Sequence, residues 1–293
     1  MICSAYLLVP MKEGQSWSSF FKRRFLRIVP PMMLFMVFYA VLPLLWGEVN
    51  VNTALHRFYT IPFNFPENAG HLWFLFPLLG IYLFIPIISP WLRVATRKQE
   101  LFFLGLWAVG CCIPYLNRFH GEVWGQCHWN QFHLLYNFCG YLGYIVLAHY
   151  IKVHLYWSDA KRRTVGVALL LLGAIWTILS FYVQIVPGTY QETPTVELGW
   201  SFCTINVVME SLGAFLLFTT IHGGRNKWVE DISQKSYGMY LIHIFYLGFW
   251  FGVVDPLLPV AAAIPALCIL TYLSSYATCK ILSYLPGSHW LIG

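Results

Sequence analysis

Residues 164–187 read TVGVALLLLGAIWTILSFYVQIVP and contain no Asp, Glu, Lys or Arg. A helix needs about 20 mostly apolar residues to cross the hydrocarbon core of a bilayer, and this run is long enough to do so with some tilt. The same search along the rest of the chain finds further uncharged apolar segments. The sequence therefore predicts eight full membrane spans, over residues 28–47, 69–92, 101–117, 129–151, 164–187, 199–223, 236–254 and 257–280.

The composition of the whole chain is typical of a membrane protein. Of its 293 residues, 58% are hydrophobic and 10% are charged, whereas about a quarter are charged in soluble domains. No polar tract separates modules, so residues 1–293 are predicted to form a single membrane domain. Residues 1–11 are apolar but too short to cross a bilayer. The predicted fold class is an all-α polytopic transmembrane helix bundle with eight full spans plus a partial N-terminal helix.

The basic residues predict which loops face the cytoplasm, because Lys and Arg are enriched in the cytoplasmic loops of membrane proteins. If the partial helix ends in the cytoplasm, sixteen of the 18 Lys and Arg residues fall on that side, and only Arg57 and Arg118 lie outside. The clusters sit beside apolar runs. The net charge of +6 therefore indicates contact with membrane lipids, and we expect no nucleic-acid partner.

The sequence lacks the motifs that are typical of several classes of enzyme and metal site. The eight cysteines include no C-x-x-C pair, and most of them lie inside apolar runs. No Walker, H-E-x-x-H or G-x-S-x-G pattern occurs, so a P-loop ATPase, a zinc protease and a soluble-type hydrolase have no support. We expect no metal site and no permanently bound cofactor.

The densest polar feature is the basic turn, residues 22–27, with the sequence KRRFLR. Arg24 and Arg27 are three residues apart and share one face of a helix, where two guanidinium groups can bind the phosphate oxygens of a cytoplasmic ligand. The alternative is a topology anchor that touches lipid headgroups, because basic flanks are routine beside membrane spans. The sequence leaves both interpretations open.

Glu210 lies near the middle of an otherwise uncharged predicted span. A carboxyl group in a bilayer costs free energy unless it is neutral, paired or facing a polar cavity, so Glu210 is a candidate functional residue. Alternatively, a protonated Glu210 that is hydrogen-bonded to a neighbouring helix would have only a structural role.

Two histidines are candidates for proton transfer. His71 opens the span 69–92 in the sequence GHLWFL, and His243 lies about two turns into the span 236–254. His243 shares a helix face with Tyr240, and this spacing suggests that the two form a hydrogen-bonded pair. Either histidine can act as a general base, because its proton exchanges near neutral pH. The alternatives are an interfacial residue for His71 and a helix-packing hydrogen bond for His243. No role is predicted for six further histidines without ligand spacing: His128, His133, His149, His154, His222 and His289.

Four blocks of this sequence together resemble the acyltransferase 3 family of membrane O-acyltransferases. They are residues 4–8 before a polar loop, residues 21–31 with the R-x-x-R pattern, residues 71–75 with the run that follows, and residues 236–243. Each block alone is weak, but their order and spacing also fit. The resemblance covers essentially the whole chain.

The resemblance implies an acyltransferase that transfers groups other than aminoacyl groups. Its members move an acyl group, usually acetyl, from cytoplasmic acyl-CoA to a hydroxyl of a cell-surface or lipid-linked carbohydrate. For this chain it implies an integral, multi-pass protein of the plasma (inner) membrane, with Arg24 and Arg27 at the phosphates of the donor. The residues themselves and the resemblance together predict three catalytic groups, His71, Glu210 and His243, and five substrate-binding groups, Arg24, Arg27, Trp73, Ser236 and Tyr240.

One block of the family pattern is absent from this sequence. Members carry a preceding first helix with a basic residue and a histidine taken to be central to catalysis, whereas this sequence begins inside the second helix. Ala5 also replaces the usual glycine of its block. We expect a catalytic helix to lie upstream of Met1.

Two other functions stay open at the level of sequence. A carrier or flippase for glycans or lipids would use the same intramembrane polar residues as a substrate path, although no convincing internal repeat is visible. An inactive truncated homologue would follow if no catalytic helix lies upstream. The sequence also leaves room for a separate extracytoplasmic protein on the acceptor side.

Overall fold

The computed structural model describes residues 1–61, 63–184, 197–224 and 226–293. These residues form helices and loops with no β-strand among them, which confirms the all-α fold class. The end of the predicted span 164–187, most of the loop that follows it, and Arg225 lie outside the described residues. The helices are α1 (Ile2–Leu8), α2 (Trp17–Val41), α3 (Val51–Thr60), α4 (Leu75–Val94), α5 (Arg97–His120), α6 (Leu142–His154), α7 (Asp159–Gln184), α8 (Ile205–Phe218), α9 (Lys227–Val254), α10 (Val260–Leu282) and α11 (His289–Ile292). Short 3₁₀ helices cover Leu42–Trp46, Glu67–Phe74, Tyr136–Phe138 and Glu197–Trp200.

Seven helical segments within the described residues are long and apolar enough to cross a membrane, and they coincide with seven of the eight predicted spans. In Asp159–Gln184, only 11% of the most apolar window is buried inside the protein. Leaving a large apolar side chain in water costs about 1.5–3 kcal/mol, so this surface requires lipid around it. The seven segments are Trp17–Trp46, Glu67–Val94, Arg97–His120, Asp159–Gln184, Glu197–Phe218, Lys227–Val254 and Val260–Leu282.

Side-chain caps fix where three of these helices begin. Ser16 accepts a hydrogen bond from the backbone of Ser19 at the start of α2, and Asn226 accepts from two backbone groups at the start of α9. Thr96 and Gln99 form a reciprocal capping box at the start of α5. Each cap satisfies amide groups that a helix leaves unpaired at its first turn.

The predicted span over residues 129–151 is wrong as a single helix. Helix α6 begins only at Leu142 and has 13 residues, which is about 20 Å and shorter than the hydrocarbon core. Before it, Cys127 and Asn130 pair as an isolated β-bridge, and Gly140 has a positive φ of 79°. The prediction excluded charged residues only. The prediction therefore took no account of the uncharged amide side chains and the glycine that turn the chain in this segment.

Helix α6 is nevertheless enclosed by protein, because every residue from 143 to 151 is buried. It packs against α1 and α5. The alternation of the basic clusters predicts a crossing between α5 and α7. The orientation derived from the basic residues stays a prediction.

The described residues fall into two compact units. Unit 1 consists of Met1–Glu13 and Phe84–His222, and unit 2 of Gly14–Leu83 and Gly223–Gly293, with one boundary inside α4. The single domain over residues 1–293 stays a prediction. Each unit joins segments that are distant in sequence.

Close helix packing in unit 1 depends on glycines where α7 meets α8. A Cβ atom added at Gly213 would lie 2.6 Å from the carbonyl oxygen of Gly166 and 2.6 Å from the backbone nitrogen of Leu170. A Cβ atom at Gly173 would lie 2.8 Å from the carbonyl oxygen of Asn206. Small residues let helices approach closely in membranes, where dispersion contacts replace the hydrophobic effect between helices.

The core of unit 2 is built from α2, the 3₁₀ helix Glu67–Phe74 and α9. Met36, Leu72 and Leu241 come from these three elements and are fully buried in one cluster. Helix α9 also packs along α10, where Val254 and Ala263 share a second cluster. This arrangement places the blocks 21–31, 71–75 and 236–243 in the same unit.

The close approach of α7 and α8 makes Gly213→Val strongly destabilising. The added side chain meets backbone atoms that cannot move alone, so we expect a loss of about 1–3 kcal/mol and a lower Tm in detergent. Gly105→Val in α5 is the matched control, because a Cβ atom there meets nothing within 4 Å. Equal losses of Tm in the two variants would contradict the packing.

Candidate active site

His71 lies in unit 2 and contacts the backbone of α9. Its Nε2 atom is 3.2 Å from the carbonyl oxygen of Leu241. Because a carbonyl oxygen only accepts, Nε2 carries the proton and Nδ1 is left as an acceptor. Nδ1 is buried and has no hydrogen-bond partner among the described residues. The structure thus holds an unpaired acceptor inside this unit.

His243 has the opposite tautomer. Its Nδ1 atom is 2.6 Å from the carbonyl oxygen of Tyr240, so Nδ1 donates and Nε2 keeps its lone pair. The rings of His71 and His243 meet edge to face, with centroids 4.9 Å apart. The structure therefore brings together the two histidines that the sequence marked as candidate bases.

Two tyrosines position this histidine pair. The hydroxyl of Tyr240 donates to the carbonyl oxygen of His71, so it does not pair with the His243 ring as the spacing had suggested. Tyr39 of α2 is 3% exposed and donates to the carbonyl oxygen of Leu241 over 2.9 Å. Its ring lies edge to face on His71 at 5.4 Å. Sequence reasoning missed Tyr39; the available signal was a phenolic hydroxyl inside an apolar span, which needs a partner when buried.

A cavity of about 500 Å³ lies between α9 and α10 and is lined by three of the predicted residues. Most of its lining is apolar, which suits a small-molecule site with a few polar groups. On α9 these polar groups are Ser236, Tyr240 and His243; on α10 the cavity is lined by Cys268, Thr271, Tyr272 and Ser275.

The basic turn lies at the N-terminal part of α2, in the same unit. Arg24 is half-buried and Arg27 is exposed, and neither guanidinium donates a hydrogen bond within the described part of the chain. By contrast, Arg23 donates from Nε and Nη2 to Ser19, over 3.3 and 3.1 Å. Tyr237 of α9 donates to the carbonyl oxygen of Ile28 over 2.7 Å. The basic turn is therefore tied to the helix that carries His243.

The remaining substrate-binding candidates of unit 2 have local contacts. Ser236 donates to the carbonyl oxygen of Ser233 over 2.8 Å, one turn earlier. Trp73 lies in the same 3₁₀ helix as His71 and packs edge to face on Phe74, with ring centroids 6.0 Å apart. Substrate binding by Ser236 and Trp73 stays a prediction.

Glu210 lies in unit 1, at the end of a polar chain that crosses α5, α7 and α8. Thr177 donates to Glu210 Oε1 over 2.5 Å, and Asn206 donates to Thr177 over 2.9 Å. Tyr115 in turn donates to Asn206, and Ser180 donates to Tyr115. A hydrogen bond to a neighbouring helix is what the structural interpretation of Glu210 requires. Its predicted catalytic role stays a prediction.

Unit 1 also contains an acid–histidine cluster that the sequence did not reveal. Glu100 is 0% exposed, and its Oε1 atom lies 2.9 Å from His149 Nδ1 and 3.2 Å from His154 Nε2. The three residues show no ligand spacing along the chain, because α5 and α6 bring them together. This cluster joins the start of α5 to the end of α6.

No group of three or more His, Cys, Asp and Glu side chains is arranged to hold a metal ion in the ranges that the structure describes.

A family model described as an acyltransferase domain matches residues 1–280. The chain belongs to the acyltransferase 3 family. The match confirms the resemblance carried by the four sequence blocks, and all eight predicted site residues lie within the matched range. No curated protein and no solved structure matches this chain.

Membership of the acyltransferase 3 family gives the general chemistry of the protein. Acyl transfer is the activity that the family implies, and the seven apolar helices make the chain an integral, multi-pass membrane protein. Within this family setting, the His71–His243 pair is a constellation that can accept a proton from a hydroxyl group.

The polar chain that ends on Glu210 predicts a stability effect. Thr177→Val leaves the half-buried Glu210 Oε1 without its donor, and we expect a loss of about 1–3 kcal/mol in the free energy of unfolding. Thr164→Val in the same helix is the control, since Thr164 is exposed and bonds only to the carbonyl oxygen of Ala160. Glu210→Gln should keep the stability of the native protein, because its amide oxygen still accepts from Thr177. A large loss in Glu210→Gln, with none in Thr177→Val, would contradict this assignment.

Proposed function

We propose that this protein is a membrane O-acyltransferase that moves an acyl group, in the simplest case acetyl, from cytoplasmic acyl-CoA to a hydroxyl of a cell-surface or lipid-linked carbohydrate. One observation carries the proposal. The basic turn adjoins the point where Tyr237 bonds to Ile28, and His243 lies six residues, or about 9 Å, farther along α9. A candidate phosphate site and a candidate base therefore belong to one compact unit.

The free guanidinium groups support the donor end of this proposal. Arg24 and Arg27 share one face of α2 and have no protein partner among the described residues, so both forks are available to phosphate oxygens. CoA carries phosphates at the end remote from its thioester. Acyl-CoA is here a donor substrate, and we propose no permanently bound cofactor.

The lone pair on Nε2 of His243 supports a role for this residue as the general base. Nε2 would accept the proton of the acceptor hydroxyl as its oxygen attacks the thioester carbonyl carbon. The carbon–sulfur bond then breaks, the ester forms, and His243 returns the proton to the leaving thiolate of CoA. His71, whose Nδ1 is buried, would position His243 through the edge-to-face contact of the rings and through Tyr240.

A second cavity supports a carbohydrate acceptor. It lies in unit 1, has a volume of about 380 Å³, and is lined by three amide side chains together with Tyr136 and His133. Asn117 donates to Gln126 over 2.9 Å, but its buried Oδ1 has no partner among the described residues. Amides bind hydroxyl groups, and aromatic faces pack against the C–H bonds of a sugar ring. In the predicted orientation this cavity is extracytoplasmic.

The setting of the enzyme completes the proposal. We place it in the plasma (inner) membrane, with lipids around its exposed apolar helices. A separate extracytoplasmic protein on the acceptor side is compatible with this arrangement. It would receive or present the carbohydrate on the outer side of the membrane.

Arginine variants test the donor site. Arg24→Ala and Arg27→Ala should each raise KM for acetyl-CoA about 10- to 100-fold, because each removes a charge-assisted hydrogen bond to phosphate. CoA release with glycan acceptors gives the measurement. Arg23→Ala is the matched control, since Arg23 already bonds to Ser19. Equal KM values for the three variants and the native protein would disprove the proposed donor site. The alternative function, a carrier or flippase, is tested by binding of labelled acetyl-CoA, because such a protein would bind none.

A histidine variant tests the base. His243→Ala should lower kcat about 10²- to 10⁴-fold while KM for acetyl-CoA changes little, because the imidazole acts on the proton and not on the phosphates. His222→Ala, at an exposed histidine paired with Asp159, is the control and should keep the native rate. A His243→Ala enzyme with the native kcat would exclude the proposed base.

A further inference from the structure

An apolar groove of about 670 Å³ lies between α5 and α7 in unit 1. On α7 it is lined by Leu172, Trp176, Leu179 and Val183, which recur every three or four residues and so share one face of the helix. Leu172 is midway along the membrane-spanning segment Asp159–Gln184, and Val183 is at its end. The groove therefore extends over roughly 16 Å, from the middle of this span to one end of it.

Helices α5 and α7 run in the same direction. Glu100, near the start of α5, lies 3.2 Å from His154 at the end of α6, and α7 begins five residues later. Farther along the two helices, the ring of Tyr115 meets the ring of Trp176, with centroids 5.4 Å apart. The ends of α5 and α7 therefore lie on the same side, and the groove reaches that side between them.

The charged end of the groove is formed by Arg118. This residue follows Tyr115 by one turn of α5, and it is the only charged side chain in the described lining. Arg118 is exposed, and its guanidinium has no hydrogen bond or ion pair in the part of the chain that the structure describes. By contrast, Arg57, the other basic residue that is predicted outside, pairs with Glu67 at 3.5 Å. The groove thus combines an unpaired cation at the end of a span with an apolar interior.

This arrangement fits the charge distribution of an anionic membrane lipid. Lipid surrounds α7, because only 11% of its most apolar window is buried inside the protein. A lipid places its phosphate at the membrane interface and its chain in the hydrocarbon core. In the same way, Arg118 lies at the end of the spans and Leu172 lies at mid-span. A guanidinium group binds two phosphate oxygens with parallel hydrogen bonds, so the charge favours a lipid that carries a phosphate.

The neighbouring face of α5 indicates which class of anionic lipid the groove holds. Asn117, the residue before Arg118, lines the amide-lined cavity of about 380 Å³, and Ile113 and Pro114 line it one turn earlier. This cavity and the groove therefore lie on adjacent faces of the same helix end. In a lipid-linked saccharide, a phosphate group joins the apolar chain to the sugar. An ordinary phospholipid would leave the amide-lined cavity unused.

We propose that the groove between α5 and α7 holds the apolar chain of a lipid-linked saccharide, with Arg118 on its phosphate and the sugar in the amide-lined cavity. The inference rests on the proposed function, and it narrows the acceptor to a carbohydrate carried on a polyprenyl phosphate. The site binds and orients this acceptor; no bond forms or breaks there.

Binding of a labelled polyprenyl phosphate to the protein in phosphatidylcholine nanodiscs tests the charged end. Arg118→Ala should raise its Kd about 3- to 10-fold, because the variant removes the cation that pairs with the phosphate. Arg118→Lys should keep most of the affinity. Neutral polyprenol should bind to the native protein and to Arg118→Ala with the same Kd. Arg57→Ala is the matched control and should keep the native Kd, since Arg57 pairs with Glu67.

Two tryptophan variants test the apolar part of the groove. Leu172→Trp narrows the groove at mid-span and should raise the Kd for polyprenyl phosphate and for polyprenol alike, by about 3- to 10-fold. Leu171→Trp is the matched control, because Leu171 is 56% exposed and Leu172 is 55% exposed, but Leu171 does not line the groove. Both side chains face lipid, so both variants should keep the native Tm.

A glucosylated probe tests the place of the sugar. Gln131 is an exposed amide that lines the 380 Å³ cavity. Gln131→Ala should raise the Kd for polyprenyl-phosphoglucose about 3- to 10-fold, because it removes a partner of the sugar hydroxyls. The same variant should bind polyprenyl phosphate as the native protein does.

Two results would overturn this inference. One is a native Kd for polyprenyl phosphate in both Arg118→Ala and Leu172→Trp. The other is equally strong competition by phosphatidylglycerol, which would mean that the groove holds an ordinary anionic phospholipid. Binding of labelled acetyl-CoA, measured on the same samples, separates these results from failure of the proposed function. Native acetyl-CoA binding beside either result leaves the proposed function standing, whereas Arg118-dependent lipid binding without acetyl-CoA binding supports the lipid site and overturns the proposed function.

Discussion

The backbone carbonyl of Leu241 accepts hydrogen bonds from two side chains, and the candidate site depends on it. Tyr39 Oη donates from α2 and His71 Nε2 donates from the 3₁₀ helix Glu67–Phe74, over 2.9 and 3.2 Å. Leu241 is 0% exposed, so water is excluded from these bonds, which are correspondingly stronger than at a surface. Three segments distant in sequence thus meet at one atom. The His71 bond fixes the tautomer of His71, and the backbone carbonyl of Tyr240, the residue before Leu241, fixes that of His243.

Several polar atoms of unit 2 are buried without a hydrogen-bond partner among the described residues. They include His71 Nδ1, Thr271 Oγ1 and Ser275 Oγ. Each such group lowers the stability of the free protein, and natural proteins retain such costs mainly at sites of function. Other polar groups are paired between helices: Tyr237 bonds to Ile28, and the chain of donors in unit 1 ends on Glu210.

The membrane fold could be predicted from sequence because apolar length and basic flanks are local properties. Seven spans followed from them, and the four short blocks identified the family. The prediction of a helix before α6 was wrong because Gly140 and the amides around Asn130 break a helix without introducing charge.

The site was predictable only in part: His71 and His243 stand out in their blocks, whereas Tyr39 acquires its role only when α2 packs against α9. Glu100 and His149 are also joined only by tertiary structure.

The central claim is that unit 2 alone holds the acyl donor, from the basic turn to the depth of His243. The most direct measurement is a cryo-EM structure of the protein in lipid nanodiscs with a non-hydrolysable thioether analogue of acetyl-CoA. The account predicts phosphate density beside Arg24 and Arg27, and continuous density from there to His243. Donor density in unit 1, or phosphate density away from the basic turn, would contradict it.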